Sequence, residues 1–441
     1  MHRIATLSAA ALVVTLTACG GSKVATAPTK PTSRPAAEPA STPATAPSVT
    51  DDDSAPQCAA VPAAQQAAGN VHVIRSFDGG DGANPWGSLT LDGSTLYGRT
   101  TFGGAENNGV VFSIGTDGSA FKTMHTFTLG SDNGSGNQPH HDSLTLDKGV
   151  LYGATLKGGA GDHGVVFSIR RDGSRYTPLH VFKGAPSDGS QAHSDFVVVG
   201  DTLYGMTAKG GAHDGGSLFS VRTDGSDSRM LYSFDAPTGD EPHGRLALTS
   251  DGASLVGMTR KGGAHGDGVV FRFDLHTSTY RVLHDFAGGA ADGATPFHGY
   301  LTRIGTALYG MTTKGGSADA GVVFRIGETG SGFTILHTFG VTKDDGKETK
   351  GSLLLSRGYL YGESYKGGPF DDGTAFRIRT DGSDYRQLAY FGGSVTGAHP
   401  YDNVAIAADG SKLYGMTGFG GAHDPNCTKA YGTIYSVDVP R

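Results

Sequence analysis

The sequence predicts an all-β fold, a seven-bladed β-propeller of four-stranded blades. Three observations carry that prediction. Glycine supplies 71 of the 441 residues, more than twice the usual share of roughly 7%, while charged residues are scarce; so much glycine is costly inside helices and natural at tight turns. The tripeptide Leu-Tyr-Gly begins at Leu96, Leu151, Leu203, Leu308, Leu360 and Leu413, with Leu255-Val256-Gly257 filling the gap, so seven copies stand 52 to 55 residues apart. Finally, the first and last repeats are incomplete in complementary ways. Collagen is excluded because no Gly-X-Y period exists, and wholesale disorder because 21 Phe and 17 Tyr require a core.

From the N-terminus, residues 1–18 read as a secretory signal: a basic Arg3, a short apolar run, then Leu16-Thr17-Ala18-Cys19. The apolar run is too short for a permanent membrane span. Its end resembles a bacterial lipobox, which implies lipidation at Cys19. Gly20 follows rather than Asp, and in a Gram-negative cell the resemblance then implies the outer membrane. Residues 19–70 are rich in Ala, Pro, Ser and Thr and read as a flexible tether. Cys58 and Cys427 remain, and an oxidising compartment allows a disulfide between them. Spacing alone does not establish the pairing.

The domain proper spans 71–441. Each unit reads as an apolar strand, a turn, Leu-Tyr-Gly-x-Thr, Gly-Gly, a short loop, Gly-Val-Val-Phe-x-Ile, Asp-Gly-Ser and Leu-His-x-Phe. In the third unit the expected strands are 196–199, 203–207, 217–221 and 230–234. Thr223-Asp224-Gly225-Ser226 joins the last two as an Asp-Gly hairpin. A unit of this length with four short strands is a propeller blade. Segment 71–77 matches a fourth strand, and the chain ends on a third, 432–437. Pairing the two closes the ring and removes an exposed edge.

The unit resembles the GloVer tandem repeat of bacterial surface proteins. The matching residues include Leu308-Tyr309-Gly310-Met311-Thr312, Gly315-Gly316 and Gly321-Val322-Val323-Phe324. The resemblance extends over nearly all of 71–441 and implies an exported propeller. It implies no activity.

Histidine placement is the functional signal. In a meander the strand 2–3 loops and the inter-blade segments share one face. That face receives His140, His141, His193, His243, His298 and His399 between blades, and His163, His213, His265 and His423 in the loops. Five more histidines, His72, His125, His180, His284 and His337, occupy a regular outer-strand slot and read as scaffold. Three residues before the first apolar residue of each inner strand stand Trp86, His141, His193, His243, His298, Lys350 and Tyr401. These aromatic and basic side chains are expected to ring the mouth of the central channel and contact substrate. Such a set suits sugar stacking, carboxylate neutralisation and proton transfer near neutral pH.

No Gly-x-Ser-x-Gly elbow appears. Convergent histidines with Asp142, Asp195 or Asp214 could hold a metal, but there is no local His-x-x-x-His signature, and no metal ligand is assigned. The chain also resembles the seven-bladed polysaccharide lyases that cleave ulvan, through its Tyr-Gly and Gly-Gly layout. That resemblance implies a catalytic set at His141, His163 and Tyr204. The family's Arg slot holds Ser220 here, and Arg222 two residues on takes its place. The implied reaction is β-elimination next to a uronate carboxylate, with no cofactor required. The formal charge of −7 argues against nucleic acid. The expected protein is a monomer at the outer membrane or cell surface. It touches the membrane through its lipid anchor only, and its partner is an acidic polysaccharide. The alternative is a non-catalytic glycan-binding module or a protein-interaction scaffold.

Overall fold

The computed structural model describes residues 70–128, 134–141, 143–193, 195–424, 429 and 431–440. The signal segment, the tether to residue 69, Cys19, Cys58, Cys427 and Asp142 lie outside the described residues. Among the described residues, no helix is long and apolar enough to cross a membrane. The one α-helix among the described residues, Gly393–Thr396, is a single turn.

Seven antiparallel blades follow one another in chain order. The third is typical. Val197–Val199 pairs with Thr202–Gly210, which pairs with Ser217–Arg222, which pairs with Arg229–Ser233. The expected strands agree to within a few residues, the second running longer at its exit. The seventh blade takes its outer strand from the other end of the chain. Val71–Ser76 lies antiparallel to Thr433–Asp438, from Val71 opposite Val437 to Ser76 opposite Thr433. The ring is therefore closed by the N-terminal strand, as its sequence offset predicts.

The core lies between blades. One cluster joins Tyr97, Val111, Met124 and Phe127 of the first blade to Leu144, Leu151, Phe167 and Ile169 of the second. The repeated grammar of each unit has local reasons. In Leu-Tyr-Gly the glycine lets the strand 3 Phe ring cross over it. A Cβ on Gly310 would stand 2.5 Å from Phe324 Cζ. The Thr two residues on ties the strand 2–3 loop shut: Thr207 Oγ1 donates to Lys209 O at 2.8 Å and accepts from Ser217 N at 3.1 Å. Asp214 Oδ1 then accepts the Gly210 N–H at 2.8 Å. Gly210 itself has φ +83°, a conformation that disfavours a side chain.

Each innermost strand is split in two. Before pairing within its blade, the inter-blade segment first pairs with the exit of strand 2, as Gly136–Asn137 does with Lys157–Gly158. The intervening residues bulge toward the propeller axis. Each bulge begins with a left-handed residue: Asn84, Gln138, Gln191, Glu241, Thr295, Glu348 and His399, with φ between 50° and 58°. The functional slot rides on these seven bulges.

Candidate functional site

The bulges carry their side chains onto the axis, and the axis is filled. Trp86, His141, His193, His243, His298, Lys350 and Tyr401 are all buried, Lys350 being the most exposed at 6%. They do not ring an open mouth, as the sequence reading expects. They meet in a stacked plug. His141 stacks on Tyr401 at 4.3 Å between ring centroids and lies 3.8 Å from His298. His193 lies 4.6 Å from His243, and His243 4.6 Å from His298. Lys350 Nζ sits 3.8 Å from the Tyr365 ring centroid and 3.3 Å from the Tyr401 hydroxyl. The difference arises because a left-handed residue redirects the chain inward, so side chains that a regular strand would turn up the channel wall point across it.

Counting back from the inner strand also misaligns two blades. Measured from the left-handed residue, the equivalent positions are Trp86, His140, His193, His243, Phe297, Lys350 and Tyr401. His141 and His298 are then single-residue insertions, and both are left-handed themselves, with φ 44° and 58°. Such a conformation is uncommon for a non-glycine residue and costs about 1–3 kcal/mol. Arg99, buried in the first blade, holds one insertion in place: its guanidinium donates to Ala154 O at 2.7 Å and to the His141 carbonyl. His140 and Phe297 are thus axial residues that the slot count missed. The repeated Pro at positions 85, 139, 242, 296 and 400, immediately before the slot in those blades, is the signal that could have aligned them.

Burial sets the charge of the plug. His140, His141, His243 and His298 are held well below the usual imidazole value, chiefly by desolvation. They are neutral in the folded protein near pH 7. Below the plug, Ser88, Ser143, Asp195, Arg245, Tyr300, Ser352 and Asn403 form a polar belt. Within it Ser143 donates to Asp195, Ser352 N donates to Asn403, and Asn403 N donates to Ser88 Oγ at 2.8 Å. Beyond the belt, on the side away from the strand 2–3 loops, the inner strands of blades 3 to 6 line an open pocket of ≈ 480 Å³. Its walls mix aliphatic and polar groups, with the Arg245 guanidinium 4.4 Å over the Tyr300 ring.

The residues assigned to elimination chemistry are not brought together. His163 Nδ1 lies 3.0 Å from Ser190 Oγ, three residues before His193, so it shares the loop face with the plug. Tyr204 packs at the interface of blades 3 and 4, and burial raises its pKa. Arg222 pairs with Thr202 at the far end of its strand, five residues from Ser217 where the loop begins. At about 3.3 Å per residue that is roughly 16 Å. Arg222 instead approaches Asp201 of the opposite face at 3.9 Å and is 46% exposed.

The loop face carries a second regular set. The residue before Gly-Gly at the exit of strand 2 is Lys157, Lys209, Lys261, Lys314 and Lys366 in blades 2 to 6, and Phe102 and Phe419 in blades 1 and 7. Lys209, Arg260 and Lys261 share Glu241, whereas Lys314 and Lys366 share Glu348. Five cations thus pair with two glutamates, Asp240 and Asp214 also stand near Lys209, and with Lys157 the set forms an arc over the histidine plug.

Ring closure, inter-blade cores and a sealed axis define a seven-bladed repeat propeller. The chain belongs to the Gloeobacter/Verrucomicrobia repeat family, which residues 130–306 and 291–441 match. No curated protein matches it. Among solved structures it is similar in fold to the extracellular domain of a hybrid two-component system from B. thetaiotaomicron. That match has 10% identity and a TM-score of 0.50, covering 82% of this chain and 39% of that one. A puromycin-hydrolysing peptidase from Mycobacterium tuberculosis matches at 12% identity and a TM-score of 0.49, over 83% of this chain and 55% of that one. An oligogalacturonate lyase in complex with manganese matches at 14% identity and a TM-score of 0.41, over 80% and 99%.

Proposed function

We propose that this protein is an exported, lipid-anchored recognition propeller that binds an acidic polysaccharide on its loop face. The observation that carries the reading is the lysine arc: one cation per blade over five consecutive blades, at one structural position, with Glu241 and Glu348 paired into it. Half-exposed ammonium groups spaced around a ring suit a repeating polyanion better than a compact ligand. Such binding is electrostatic, and salt weakens it. The sealed plug beneath the arc supports binding across the surface rather than threading into the channel. The loop histidines His163, His213, His265 and His423 stand beside the arc and add polar contacts. Elimination chemistry is left out, because Tyr204 and Arg222 lie away from the histidines. The lipobox resemblance supports attachment at Cys19, with the propeller presented as a monomer at the outer membrane or cell surface and no nucleic-acid partner.

The test is to titrate the mature protein with polygalacturonate, ulvan and a neutral glucan while following ultraviolet absorbance. Saturable, salt-sensitive binding of the uronate polymers alone, without new absorbance, is the expected result. Equal affinity for the neutral glucan, or no binding at all, overturns the reading. Rising absorbance would restore the lyase.

A further inference from the structure

Buried side chains normally satisfy their polar atoms, and a neutral imidazole carries one donor and one acceptor. Within the plug, both ring nitrogens of His140, both of His141, and Nε2 of His298 are buried with no hydrogen-bond partner among the described residues. A buried polar atom left in that state costs about 1–3 kcal/mol. Packing alone does not require it. Where the plug only needs a ring, the blades supply Trp86, Phe297 and Tyr401. The imidazoles come instead from blades 2 to 5. Two of them, His141 and His298, arrive by insertions that place histidine in a left-handed conformation. The strain and the missing partners both fall on the same cluster.

The nitrogen geometry is that of a ligand set. His193, His243 and His298, from three consecutive blades, each offer a ring nitrogen, and the three lie within 4.8 Å of one another. His140, His141 and His193 form a second such group sharing His193. A tetrahedral site with nitrogen ligands at 2.0–2.1 Å has edges of about 3.3 Å. His243 Nδ1 and His298 Nδ1 are 3.3 Å apart. We propose that the propeller axis is a metal centre in which His193, His243 and His298 hold one divalent transition-metal ion of the zinc class. His140 and His141 stand beside it, in the second group that shares His193. A site sealed on both sides, by the plug's aromatic residues and by the polar belt, is a structural centre rather than a hydrolytic one. It clamps blades 3 to 5 together, beside the main-chain hydrogen bond from Gly244 N to His193 O at 3.0 Å.

The experiment uses the full chain, denatured in chelator and refolded with zinc or cobalt. Metal content is read by elemental analysis, cobalt coordination by its visible absorption, and stability by thermal unfolding. One ion per chain, a tetrahedral cobalt spectrum and a raised Tm are expected. His243→Ala and His298→Gln should each lose the spectrum, while His213→Ala, at an exposed loop position, should keep it. Wild-type protein that refolds without taking up an ion overturns the proposal. So does a cobalt spectrum that survives both axial substitutions. If His243→Ala does not fold, the wild-type stoichiometry and His298→Gln still decide.

Discussion

The ring of His141 lies 3.8 Å from that of His298, although 157 residues and two whole blades separate them. Both are one-residue insertions, both are left-handed, and they meet at the axis of the ring. That meeting turns a set of repeats into a closed centre, and it orders the expectations below.

Removing one insertion should loosen the plug without opening the ring. Deleting His141 returns the second blade to the register of its neighbours and frees the Arg99 guanidinium from its carbonyl. Arg99→Met, which leaves the Ala154 and His141 carbonyls buried without a donor, should cost about 1–3 kcal/mol per lost partner. Arg99→Lys should recover only part of that, because an ammonium does not reproduce the planar fork. Denaturant unfolding measures both, and an unchanged midpoint for Arg99→Met contradicts the role assigned to it.

Ring closure makes the N-terminal strand as important as any inner one. Phe77 is fully buried, packs edge-on against Phe112 at 5.5 Å, and joins first-blade residues to Met416 and Ile434 of the seventh. Phe77→Ala should destabilise by about 3–5 kcal/mol. Deleting 71–77 should do more, exposing the edge of Thr433–Asp438 to association with other chains. Calorimetry with light scattering reads both; a deletion that melts like wild type and stays monomeric would exclude closure by this strand.

Acid should destabilise the protein between pH 6.5 and 4. Burial lowers His125 and His399 to about 4, and His140, His141, His243 and His298 well below the usual value. For a group lowered in the folded state the unfolded chain binds more protons. Its contribution is therefore full above pH 6.5 and is lost as the pH falls toward the folded value. Burial raises Asp372 to about 7 and Glu363 well above its usual value. These two act in the opposite sense, their contribution being lost as the pH rises toward the folded value. Six histidines against two carboxyls leave a net loss on acidification. Replacing His125 and His399 with Phe should flatten the stability profile over that window. A profile that rises toward pH 4 contradicts the neutral state of the buried rings.

Much of this fold could be read in the residues, and much of the site could not. The Leu-Tyr-Gly spacing reported the blade number, and the matching ends reported the closure, because both depend on local pattern and strand count. The axial plug depends on where a side chain points after a left-handed turn. A single residue such as Gln138 or Glu241, unremarkable in a sequence, reverses that direction. The same limit explains Arg222: a spacing of two along a strand preserves its side but not its end, and Arg222 stands at the end away from the histidines. The lysine arc is legible in the sequence, as the letter before Gly-Gly in blades 2 to 6.

Substitution within that arc is the last prediction and the most direct test of the account. Lys261 and Lys314 lie in adjacent blades, and each is about half exposed, at 50% and 47% of its side chain. Changing both to Gln removes two positive charges without touching the plug or the core. Calorimetric titration of polygalacturonate into wild type and the double variant, at two salt concentrations, should show weaker binding for the variant and a shallower salt dependence, with Tm unchanged. Equal affinity and equal salt dependence in the two proteins would contradict recognition of a polyanion by the lysine arc.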